Sequence, residues 1–102
     1  MFKDLESVTF IENRNKYLGQ VLGSEKDYFW LLVPELKNVY VGHPDRVFEL
    51  DGVKYFSVFD HVRSVDSILE KNGNVASDFF CYSKDSEKMK KILKTLNLIF
   101  PM

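Results

Sequence analysis

A single cysteine, Cys81, leaves this chain without an intramolecular disulfide, and a lone thiol fits a reducing compartment. The five glycines are scattered, so no glycine-rich loop stands before a helix-like stretch to cradle a phosphate. One cysteine and two histidines eighteen residues apart match no zinc spacing, and the acids form no calcium-loop pattern. No Gly-x-Ser-x-Gly marks a nucleophile elbow. Apolar runs long enough to span a bilayer are missing, and Met1-Phe2-Lys3-Asp4-Leu5-Glu6 puts acids where a signal peptide needs an apolar core. These absences give the expectation of a soluble, cytoplasmic chain with no metal, cofactor or membrane partner.

Neither sign of charge dominates. Residues 1–83 carry nine Lys and Arg against thirteen Asp and Glu, and residues 84–102 carry five Lys against two acids, so −4 and +3 make up the net −1. A mildly acidic body with a basic C-terminal segment lacks the electrostatic footprint of a duplex-DNA binder. What is abundant is aromatic: nine Phe, five Tyr and one Trp in 102 residues. A domain of this size has little interior relative to its surface, so a surplus of rings points to an interface.

The clearest structural signal is 47–56, Val-Phe-Glu-Leu-Asp-Gly-Val-Lys-Tyr-Phe. Asp-Gly suits a two-residue type I′ turn, whose central residues both need positive φ. With Asp51 and Gly52 at the turn, Leu50 faces Val53, Glu49 faces Lys54, Phe48 faces Tyr55 and Val47 faces Phe56. Apolar meets apolar, acid meets base and ring meets ring.

Further strand-like runs occupy 7–12, 17–22, 27–33 and 38–41, with the hairpin's second strand continuing to about Phe59. Asp60 then opens a helix over 60–72 with Val62, Val65, Ile68 and Leu69 on its apolar face, ended by Asn72-Gly73. A further strand is expected at 78–82. Ser83 caps a last helix over 84–97, striped by Met89, Ile92, Leu93 and Leu96. The runs 27–33 and 79–82 are apolar on both faces and must be covered twice. The expectation is one α+β domain over residues 1–102: a strongly curved, mainly antiparallel sheet or small barrel of six to seven short strands, with two helices.

Candidate chemistries are few. His43 lies in Gly42-His43-Pro44-Asp45 and His61 follows Asp60, the raw material of general-base catalysis; turn formation and helix capping explain the same residues. Cys81 with His61 would make a nucleophile and base, but its apolar strand favours an inert, buried thiol. The sequence therefore reads as a non-catalytic protein–protein interaction module: an adaptor, inhibitor or regulatory subunit, of a kind that suits a phage or mobile element. The contact surface is expected at Tyr28, Trp30 and Phe100, with Lys84, Lys88, Lys91 and Lys94 steering an acidic partner. That partner is another protein or a second copy of the chain. The alternative is a single-stranded nucleic-acid binder using strand aromatics and the basic C-terminal helix.

Overall fold

A computed structural model describes residues 2–70 and 86–101. Among these are strands β1 (Ser7–Glu12), β2 (Asn15–Ser24), β3 (Phe29–Val33), β4 (Asn38–Gly42), β5 (Phe48–Leu50), β6 (Val53–Phe56) and β7 (His61–Ser64), followed by helices α1 (Val65–Glu70) and α2 (Ser86–Ile99). The strands form one sheet in the order β5-β6-β1-β2-β3-β4-β7. Five neighbouring pairs are antiparallel and one, β1 with β6, is parallel. The fold is the α+β class expected, with a sheet that bends strongly and does not close.

Two turns of one kind set the register. Asp51 and Gly52 have φ of 52° and 79°, and Asn13 and Arg14 have 51° and 68°, the positive pair that a type I′ turn demands. The hairpin pairs Leu50 with Val53, Glu49 with Lys54 and Phe48 with Tyr55. The expected Val47–Phe56 pair does not form: the chain enters β5 from a single 3-10 turn over Pro44–Arg46, closed by the Val47 N–H on the Pro44 carbonyl.

The bend is severe. Phe10 on β1 and Tyr40 on β4 have ring centroids 4.1 Å apart, although β2 and β3 lie between them. Three steps across a flat sheet would separate them by about 14 Å. The sheet is rolled around an inner core of Val8, Phe10, Val21, Phe29, Leu31, Val33, Tyr40 and Phe56. β6 thereby meets β4: a Cβ built on Gly42 would lie 2.3 Å from Phe56 Cζ. Phe59 fills the remaining gap, edge-on to Tyr40 at 4.8 Å.

The helices cover part of the outer face, where Leu22, Trp30, Leu32, Val39 and Val41 pack on Val65, Ile68, Met89, Ile92 and Leu96. This explains the two-sided β3. Phe29, Leu31 and Val33 point into the roll, while Trp30 and Leu32 meet the helices.

The helix expected over 60–72 begins later. His61–Ser64 is strand β7, pairing with β4 from Val41–His61 to Asn38–Ser64, and the Asp60 N–H bonds the Val41 carbonyl. The cap is Ser64, whose Oγ accepts the Ser67 N–H at 3.0 Å. Pairing satisfies the free edge of β4, which outweighs the weak signal of an acidic cap. The sixth strand stops at Phe56, short of Phe59. The expected strand at 78–82 with Cys81, the Asn72-Gly73 stop, the Ser83 cap and Lys84 lie outside the described residues.

Candidate interaction surface

Among the described residues, the core that the helices cover includes no residue of β1, β5 or β6. Paired residues share a face of a sheet, and alternate residues of a strand return to it. Gln20 pairs with Leu32, which meets the helices, so Leu18 lies on the same outer face. Register carries the row onward, from Leu18 to Thr9 on β1, to Tyr55 on β6 and to Phe48 on β5. Val53 and Leu50 form the adjacent row on the same face.

Thr9 and Tyr55 are half-buried, and the four apolar residues around them are open. Leu18 is 63% exposed, Leu50 59% and Phe48 51%. Phe48 stacks on Tyr55, with centroids 5.4 Å apart and planes 21° apart. Lys16 Nζ sits 5.6 Å from the Tyr55 ring centre. Singly, exposed apolar residues are ordinary; a contiguous row rimmed by polar groups is the pattern of a contact site.

The residues expected to make the contact lie elsewhere. Trp30 is 0% exposed, a core anchor that offers no surface to a partner in this fold. Tyr28 is half-buried beside the helix-side core, its ring 4.7 Å from that of His43. Phe100 packs at the other end of that core, with Lys37 Nζ 5.7 Å from its ring centre. The structure does not bring Tyr28, Trp30 and Phe100 together into one exposed patch.

Two lysines of α2, Lys88 and Lys91, meet oxygens of other segments. Lys88 donates to the Ser24 carbonyl at 2.5 Å and lies 3.9 Å from Glu25. Lys91 is paired with Asp4, and Lys90 lies 3.4 Å from Glu87. Lys88 and Lys91 thus tie α2 to acidic groups of the body, and of the three described lysines expected to steer a partner, Lys94 is exposed without an ion pair.

His43 Nε2 is 3.9 Å from Asp60, Asp45 is exposed on the 3-10 turn, and His61 lies on β7 opposite Val41. No group of three or more His, Cys, Asp or Glu among the described residues could hold a metal ion. Two titratable groups among the described residues are displaced from their ordinary values. The hydrogen bond from Lys54 at 2.5 Å, helped by the Lys3 N–H, holds the Glu6 carboxyl below its usual range. Burial pushes the Tyr40 phenol up, opposed by the Asn38 amide that donates to its oxygen.

The hairpin could have revealed this surface. Its matched pairs place Phe48, Leu50, Val53 and Tyr55 on one face by alternation alone. What the sequence does not display is which face the helices cover. No helix among the described residues is long and apolar enough to cross a membrane. Comparisons with protein-family models, with curated proteins and with solved structures find no match.

Proposed function

We propose that this protein is a non-catalytic interaction module, an adaptor, inhibitor or regulatory subunit, that engages a partner protein through the outer face of β2, β1, β6 and β5. The observation that carries this is the outer face on which Leu18, Phe48, Leu50 and Val53 are exposed around the half-buried Tyr55 and Thr9, outside the core that the helices cover. Burying such side chains removes apolar area from water at about 25 cal/mol per Å². Tyr and Phe contribute large contacts with few rotatable bonds to freeze.

The nucleic-acid reading has less behind it. Trp30 and Tyr40 are buried and Tyr28 and Tyr55 half-buried, while Lys88 and Lys91 are engaged within the chain.

The test is capture by the tagged protein in nuclease-treated lysate, with Leu18→Lys/Phe48→Lys as the comparison. A protein retained in stoichiometric amount by the parent and lost from a folded double variant is the expected result. Undiminished retention by that variant overturns the assignment of the face. Recovery of nucleic acid in untreated lysate, released steeply by salt, favours the other reading.

A further inference from the structure

We infer that β5 is a docking edge for an extended partner segment with the pattern apolar–basic–apolar, a deepening that rests on the interaction-module reading. β5 is an end strand of the sheet, and all of Phe48–Leu50 is exposed. In a two-residue hairpin the residues flanking the turn exchange both backbone hydrogen bonds. Leu50–Val53 and Phe48–Tyr55 are therefore bonded pairs, and Glu49–Lys54 is the non-bonded pair between them. The Glu49 N–H and C=O consequently point away from β6, toward the open edge. An incoming antiparallel strand finds one donor and one acceptor there, the main-chain recognition used in strand addition.

Charge selects the segment. Glu49 stands opposite Lys54, but the Lys54 ammonium bonds Glu6 at 2.5 Å, and no ion pair joins it to Glu49 among the described residues. The Glu49 carboxylate borders a cleft of about 230 Å³ whose walls are Phe2, Pro44, Val47, Phe48, Glu49 and Lys54. A partner residue opposite Glu49 projects its side chain to this side of the sheet. A Lys or Arg there lays its aliphatic stem on Pro44 and Val47 and carries its cation to Glu49. Its two neighbours project to the other side, extending the apolar face of Phe48 and Leu50. A second copy of the chain is disfavoured at the same edge, because two-fold pairing centred on β5 sets Glu49 against Glu49.

Capped Thr-Val-Lys-Val-Thr and Thr-Val-Glu-Val-Thr peptides test this by titration against the isotopically labelled protein, followed by NMR. The Lys peptide is expected to shift the amides of 47–50, and the Glu peptide to bind about tenfold more weakly. Glu49→Lys should invert that preference by a similar factor, since opposite charges become like charges across the edge. N-methylation of the central residue should abolish binding, because its amide donates to the Glu49 carbonyl. Absence of Lys-peptide binding at millimolar concentration overturns the inference, as does binding indifferent to N-methylation or to Glu49→Lys. Concentration-dependent dimerisation that protects the 47–50 amides assigns the edge to a second copy and overturns it too. None of these outcomes bears on Leu18→Lys/Phe48→Lys, so the broader reading of the face fails or survives separately.

Discussion

Replacing Gly42 by Ala is expected to destabilise the fold, and replacing Phe56 by Leu is expected to rescue it. The added Cβ would lie 2.3 Å from Phe56 Cζ and 2.8 Å from Cε1, well inside van der Waals contact. The ring has little freedom to yield, since Phe56 is fully buried with Phe29 edge-on at 4.8 Å and Phe10 at 6.2 Å. Overpacking of this kind costs about 1–3 kcal/mol, and the closeness of the clash places Gly42→Ala near 3. Phe56→Leu alone is a modest loss of volume, costing about 1.5 kcal/mol. Independent effects would sum to about 4.5 kcal/mol, a large share of the roughly 5–15 kcal/mol that holds a domain together. In the double variant the new methyl occupies space the ring vacated, so the total should fall to about 2 kcal/mol. Urea unfolding followed by Trp30 fluorescence measures all three, since the single Trp is buried. A coupling energy below about 0.5 kcal/mol would mean independent sites, refuting the meeting of β4 and β6 inside the roll.

Arg14→Gly should stabilise the protein by about 0.5–1 kcal/mol, because Arg14 holds φ at 68° where a side chain is strained and Gly is not; a lowered urea midpoint would contradict the β1–β2 turn. Ser64→Ala should cost about 1 kcal/mol by removing the hydroxyl that accepts the Ser67 N–H, and an unchanged midpoint would deny it the capping role. Glu6 binds its proton less tightly folded than unfolded, because Lys54 favours the carboxylate. Its stabilisation is full above the unfolded value of about 4.3 and is lost as pH falls through the lower folded value. Lys54→Met should therefore flatten the acid limb of the stability–pH curve, and an unaltered limb would remove Glu6 as its source.

The elements were legible where pairing is local. The Asp51-Gly52 turn declares its hairpin, and the Met89, Ile92 and Leu96 stripe declares α2, since both depend on residues close in sequence. The two coverings of β3 follow from its composition, though not their identity. Less was visible where distant segments decide. Residues 61–64 suit a helix start as well as a strand, and only the open edge of β4 selects the strand. Trp30 looked like a contact residue because a lone Trp serves interfaces and cores equally. The bare outer face became visible only once the helices had a position. Likewise the lysines of α2 read as a free basic face until Ser24, Glu25 and Asp4 came within reach.

The parallel pairing of β1 with β6 has a consequence for the order in which the chain assembles. During synthesis β1 meets β2 across the Asn13-Arg14 turn, and β3 and β4 follow by simple reversals of direction. The other side of β1 must wait until Tyr55 and Phe56 have emerged to meet Thr9 and Phe10. Such a non-local closure is slow compared with hairpin formation. The four-strand meander therefore spends an interval on the ribosome with one side of its first strand unpaired and Phe10 lacking Phe56. In that interval the inner face of β1 is least covered, and a synthesis pause between Gly42 and Tyr55 would lengthen it.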